Sequence, residues 1–363
     1  MFMYIFVSRE TFSVDRHQYR ARDIIRPKYS EKGKLLRKGR TQSHEPVRFQ
    51  QRMVVRLPGA FLRAAAFRME DNRLKKIIMV MILLLSALAG GTEVKVNASI
   101  THDRATWLWD PWMIVNDEEG TLAFLESKRL NKVYLQIDRN ISASIYQSFI
   151  EKSSAKGMEI YALDGAPEWA APQGYISQDH LMAWLSGYQE EASPQQEFSG
   201  VHLDVEPYLY SGWNSKRAAT VKSYQALLLR AKNSTENLNL PLEADMPFWF
   251  DEISYNNIYG KGLLAEWVIA GTDGVTIMAY RDSAALITDF VKKEIEWAGR
   301  YSKRLIVGVE TGETSEGDTI SFFEEGEIYM NEQLEIVKAY YENKAGFGGT
   351  AVHHVGSWMT IKP

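Results

Sequence analysis

Downstream of Gly90 the chain alternates between two hydrophobic patterns. Short runs rich in Val, Ile, Leu and aromatic residues predict strands at Thr106–Trp109, Lys132–Ile137, Met158–Leu163, Gly200–Val205, Leu240–Met246, Asp273–Tyr280, Arg304–Val309 and Gly348–His353. Between most of them apolar positions recur every three or four residues. This spacing predicts helices over Thr121–Arg129, Ile145–Lys156, His180–Glu191, Lys216–Lys232, Leu263–Ala270, Ala284–Tyr301 and Asn331–Asn343. Eight such alternations in about 270 residues match an α/β fold of the closed (β/α)8, or TIM barrel, type in number and length. A doubly wound open sheet is the rival. It usually has fewer strands and often opens on a Gly-rich phosphate loop, and none follows the first strand here.

A closed barrel of this kind carries its chemistry at the C-terminal strand ends. Polar and aromatic residues collect at those ends: Asp110, Asp138, Asp164, then Asp204 and Glu206, Asp245, Tyr280 and Arg281, Glu310, and finally His353, His354 and Trp358. The fourth strand, S-G-V-H-L-D-V-E-P from Ser199 to Pro207, says most. Side chains of a strand alternate between faces, so Val201, Leu203 and Val205 suit packing under helices while His202, Asp204 and Glu206 point into the barrel. Asp204 and Glu206 then lie about 7 Å apart on one side. Repulsion and partial burial in such a pair raise one carboxyl's pKa, which is how a carboxyl stays protonated and serves as a general acid. The bland reading of the pair is an ionic brace for the barrel.

At this strand the chain resembles the family 18, chitinase-like glycoside hydrolases, whose fourth strand reads D-G-x-D-x-D-x-E. Gly200, Asp204 and Glu206 match, while Ser199 and His202 replace the first two acids. Met278-Ala279-Tyr280 is similar to the family's M-x-Y, with Arg281 where an Asp is common, and Trp358 follows the eighth strand, where the family often places a Trp beneath the sugar. The resemblance implies substrate-assisted hydrolysis of a polymer containing N-acetylated amino sugars. Glu206 would protonate the glycosidic oxygen, Asp204 would orient the substrate's 2-acetamido group, and Tyr280 would bond its carbonyl.

Other readings remain open. Glu206-Pro207 is also similar to the N-E-P end of strand four in retaining barrel glycosidases, whose nucleophile is a Glu at the end of strand seven. Glu310 holds that place, so a covalent route needs Glu206 and Glu310 about 5–5.5 Å apart across the scissile bond. A non-catalytic carbohydrate-binding barrel is the third reading. A sugar ligand also suits the aromatics: seven of ten Trp (Trp107, Trp109, Trp112, Trp169, Trp213, Trp249 and Trp358) fall at predicted strand ends or loops, where flat rings stack on pyranose faces. Substrate contacts are expected from Trp109, Asp138, Asp164, Trp213, Asp245, Arg281 and Trp358.

Charge divides the 363-residue chain. Residues 1–68 carry 16 Lys and Arg against 5 Asp and Glu, whereas residues 90–363 carry a net charge of −16 within an overall −4. An acidic body argues against nucleic acid as partner. Between the two lies a secretory pattern: basic Arg73, Lys75 and Lys76, an apolar Ile77–Leu85, and an Ala87-Leu88-Ala89 cleavage site. Its apolar run of about 13 residues is short of the roughly 20 needed to span a bilayer. Residues 69–89 are therefore expected to be a signal peptide, residues 1–68 a basic extension or a mis-assigned start, and the mature domain secreted or in the cell envelope. Membrane contact is expected only through an uncleaved signal segment. The chain has no Cys, which excludes disulfides, and it lacks H-E-x-x-H, a nucleotide loop and a G-x-S-x-G elbow. No cofactor or metal is expected.

Overall fold

The computed structural model describes residues 102–363. The expectations for residues 1–68 and 69–89 lie outside the described residues. Eight parallel strands close into a barrel: β1 (Asp103–Leu108), β2 (Lys132–Gln136), β3 (Glu159–Asp164), β4 (Gly200–Leu203), β5 (Leu242–Pro247), β8 (Gly274–Met278), β9 (Arg304–Glu310) and β10 (Phe347–His353). A small antiparallel hairpin, β6 (Ser254–Asn257) and β7 (Gly260–Leu263), interrupts the connection from β5 to β8. The ring closes where β1 pairs in parallel with β10, Asp103 opposite Gly349 and Thr106 opposite Val352.

All eight barrel strands fall where the alternation of apolar residues predicts them, within a few residues. The hairpin was not predicted. Its strands hold only exposed and half-buried residues, so no buried face writes a pattern into S-Y-N-N-I-Y-G-K-G-L.

Helices wrap the barrel: α1 (Trp112–Asn116), α2 (Glu118–Ser127), α3 (Ala143–Ser154), α4 (Tyr175–Glu191), α5 (Gly212–Asn237), α6 (Leu264–Gly271), α7 (Ala284–Phe290), α8 (Lys292–Arg300), α9 (Glu327–Tyr341) and α10 (Val355–Trp358). The single helix expected over Ala284–Tyr301 is two. Val291 breaks it at φ −103°, ψ 4° while remaining fully buried, so the apolar periodicity runs across the break and conceals it. Among the described residues no helix is long and apolar enough to cross a membrane.

Two cores follow from the strand alternation. The larger lies between barrel and helices and takes Val201, Leu203 and Val205, with Val133, Leu135, Leu242, Ala244 and Met246. The smaller fills the barrel itself with Ala105, Trp107, Tyr134, Tyr161, Leu163, Ile306 and Ala351, and Trp109 packs on its upper side. Closure leaves little room at the β1–β10 seam. Gly349 sits at a register shift with φ +143°, and a Cβ there would lie 2.0 Å from the carbonyl oxygen of Asp103. Gly349→Ala is therefore expected to cost about 2 kcal/mol or more. Urea unfolding of the two proteins measures the difference.

Candidate active site in the barrel

The floor of the site is built from alternate residues of β2, β4 and β5. In K-V-Y-L-Q, Val133 and Leu135 face the helices, leaving Lys132 and Tyr134 inside. In L-E-A-D-M, Leu242, Ala244 and Met246 face out and Glu243 and Asp245 face in. With His202 they form a buried chain. Lys132 Nζ donates to Glu243 Oε1 at 2.7 Å and lies 3.2 Å from Asp103 Oδ2. His202 is wholly buried, with Nδ1 3.6 Å from Glu243 Oε2 and Nε2 3.0 Å from Asp245 Oδ2. The same Asp245 oxygen accepts the Trp107 indole N–H at 2.9 Å. Tyr134 stacks on the imidazole at 3.7 Å and shares a hydroxyl hydrogen bond with Thr276.

The charges in this chain hold one another in place. Burial by itself would pull the His202 pKa down, but Asp245 and then Glu243 outweigh it and push it up to about 9. Burial would raise Glu243, yet His202 and Lys132 hold it down at about 2.

Above this floor the inward face of the fourth barrel strand continues past β4. The Asp204 N–H donates to the Asp164 carbonyl at 3.2 Å, which carries the ladder one residue beyond the strand. Val205 packs on the helix side, and Asp204 and Glu206 are 6% and 8% exposed. Gly165 permits this closeness, because a Cβ at that position would lie 2.1 Å from the Asp204 carbonyl oxygen. Pro207 then starts a turn in which the Leu209 N–H returns to the Glu206 carbonyl, and the Tyr208 hydroxyl donates to Glu206 Oε1.

The opposite wall comes from β1, β9 and β10. Trp109 Nε1 donates to His353 Nε2 at 2.9 Å, so the imidazole proton sits on Nδ1, which lies 2.9 Å from Glu310 Oε2. Glu310 Oε1 accepts the N–H groups of Thr311 at 2.9 Å and Gly312 at 2.8 Å. Tyr280 lies beside His353, ring centroids 5.8 Å apart.

The chain is similar in path to solved chitinases. These include a mutant of Ostrinia furnacalis Group II chitinase catalytic domain 2 in complex with a chitin oligomer (11% identity, 70% of this chain and 90% of that one, TM-score 0.47). A Chromobacterium violaceum chitinase (12%, 72% and 98%, 0.44) and a Cycas revoluta GH18 chitinase in complex with (GlcNAc)3 (13%, 70% and 95%, 0.44) are others. No family model matches the sequence, and no curated protein does. At these identities and TM-scores the likeness carries no argument about chemistry, which rests on the residues of this barrel.

Of the residues expected from sequence, the barrel interior and its C-terminal end hold Asp204, Glu206, Asp245, Tyr280, Glu310 and Trp109. Asp138 and Asp164 lie at the rim. Asp138 accepts from Trp112 Nε1 at 3.0 Å, and burial raises the pKa of Asp164, whose Oδ1 accepts the Gly165 N–H. Arg281 bonds the Tyr280 carbonyl and stacks over Phe248 and Phe290.

Two expectations need correction. Trp358, 1% exposed, is buried between barrel and helices against Phe124, its Nε1 donating to Glu327 at 3.1 Å. Trp213, 5% exposed, stacks on Phe250 in the same outer core. Neither ring offers a face to a sugar, because each serves as the apolar anchor of a connecting segment. Lys132 and Glu243 went unassigned in the sequence, although alternation alone would have turned them inward, and the tie of Tyr208 to Glu206 was not foreseen, its signal being the turn-forming Pro207 between them.

The buried chain predicts a pH-dependent stability. His202's folded value, about 9, exceeds the usual 6.5, so its contribution is complete below about pH 6.5 and is lost as pH rises through 9. Glu243's, about 2, lies below the usual 4.5, so its contribution is complete above about pH 4.5 and is lost as pH falls through 2. Denaturant unfolding of the wild type should show stability falling from pH 6.5 to 9, and His202→Gln should lack that fall. Lys132→Met, which leaves Glu243 buried without its cation, is expected to cost about 3–5 kcal/mol at pH 6 in the same assay.

Proposed function

We propose that this barrel is a glycoside hydrolase acting on a polysaccharide with N-acetylated amino sugars, with Glu206 as its general acid and base. The observation that carries the reading is the pair of nearly buried carboxyl groups, Asp204 and Glu206, at the C-terminal end of the fourth barrel strand. They sit beyond a floor whose charges are already paired. A carboxyl so placed is shielded from water, the setting in which a side chain can act as general acid toward a leaving oxygen. In this reading Glu206 protonates the glycosidic oxygen as the substrate's acetamido oxygen attacks the anomeric carbon. Asp204 stabilises the positive charge that develops on the acetamido nitrogen, and Tyr280 bonds the acetamido oxygen. Water then opens the cyclic intermediate, giving its proton to Glu206. Trp109 and the rim pair Trp112–Asp138 supply flat and hydrogen-bonding surfaces for neighbouring sugars. The Met69–Ala89 segment directs the domain to the envelope or outside the cell.

A covalent route through Glu310 has less support. Glu310 Oε1 accepts two backbone N–H groups and its Oε2 lies 2.9 Å from His353 Nδ1, so attack would cost it contacts that already position it at the end of β9.

Glu206→Gln is expected to lower hydrolysis of chitotetraose and of an aryl N-acetylglucosaminide by about 10²–10⁴-fold while leaving binding intact. A thiazoline analogue of the cyclic intermediate should inhibit the wild type, and Glu310→Gln should retain that sensitivity. Hydrolysis undiminished in Glu206→Gln would remove the acid from this assignment. Chitotetraose bound and never cleaved by the wild type would make the barrel a carbohydrate-binding protein.

A further inference from the structure

We infer that Tyr208 is a positioning residue for Glu206, deciding which oxygen of the acid carries the transferable proton and how readily it leaves. The inference rests on the reading of Glu206 as the acid. Pro207 and the return of the Leu209 N–H to the Glu206 carbonyl turn the chain back on itself directly after the fourth barrel strand. That turn brings the Tyr208 hydroxyl onto Glu206 Oε1. The phenol is held from the other side by aromatic packing. Its ring meets Trp249 edge-on at 5.1 Å and Phe250 at 6.3 Å, and Phe250 in turn stacks on buried Trp213 at 6.1 Å. Trp213, with no face for a sugar, thus belongs to the support of the acid.

The chemistry follows from the direction of this bond. A phenol that donates to Oε1 leaves Oε2 as the oxygen bearing the proton when Glu206 is neutral. Once the proton has moved to the leaving oxygen, the same bond goes to a full carboxylate and strengthens. It therefore favours the ionised form and stabilises the transition state more than the ground state. Val205, between the two acids, faces the helix side, so the support comes from the turn that follows the strand.

The test is Tyr208→Phe, which keeps the ring packing and removes the donor. Carboxyl ¹³C NMR, with the Glu206 signal assigned through Glu206→Gln, follows its titration in both proteins. Its midpoint should rise by about one pH unit in Tyr208→Phe, and 3-fluorotyrosine at position 208, a stronger donor, should lower it below the wild-type value. With chitotetraose, kcat should fall about tenfold to a hundredfold with little change in KM. The basic limb of the pH–rate profile should move up with the NMR midpoint. A Glu206 midpoint that ignores both substitutions overturns the inference, whether or not the protein hydrolyses sugar. A midpoint that shifts as expected in a protein without hydrolytic activity upholds the coupling and instead defeats the glycosidase reading.

Discussion

The interior of the barrel depends on a run of paired charge. A closed ring of eight strands must fill its axis with side chains, and burying an unpaired charge there is prohibitively costly. This chain places Lys132, Glu243, His202 and Asp245 on that axis and joins them end to end at 2.7, 3.6 and 3.0 Å. Aromatic rings close the gaps: Trp107 bonds the last carboxylate and Tyr134 stacks on the imidazole. Loss of one member is costly, because it leaves the charge of its neighbour buried without an answer.

The consequence for the site is rigidity beneath Asp204 and Glu206 at the C-terminal end of the barrel. His202 is two residues before Asp204 on the same strand, so the ordered floor and the candidate catalytic edge are one piece of backbone. The opposite wall is braced in a similar way, with Trp109, His353 and Glu310 tying β1, β9 and β10 together. Binding residues held between two such walls keep their geometry when water is expelled, the condition under which preorganised dipoles and donors act most strongly.

Much of this was legible beforehand because strand alternation is a local signal. The two-residue period in V-H-L-D-V-E separates the side chains that feed the outer core from those that enter the barrel. It does so equally well in K-V-Y-L-Q and L-E-A-D-M. The hairpin within the β5–β8 connection and the break at Val291 were hidden for opposite reasons. The hairpin has no buried face to impose a pattern, and the break lies inside a pattern that continues across it.

Residue order by itself determined the barrel, the inward placement of Asp204 and Glu206, and the concentration of acids at strand ends, since each follows from periodicity along one segment. The tertiary structure decided which of those groups meet. Lys132 and Glu243 lie 111 residues apart in sequence and touch only because the ring brings β2 and β5 to a common axis. It likewise decided which tryptophans are surfaces and which are ballast. Trp109 and Trp358 look alike as strand-end residues, but one bonds His353 inside the barrel while the other is sealed under α9. Packing against distant segments carries no trace in local sequence, because any large apolar ring satisfies it.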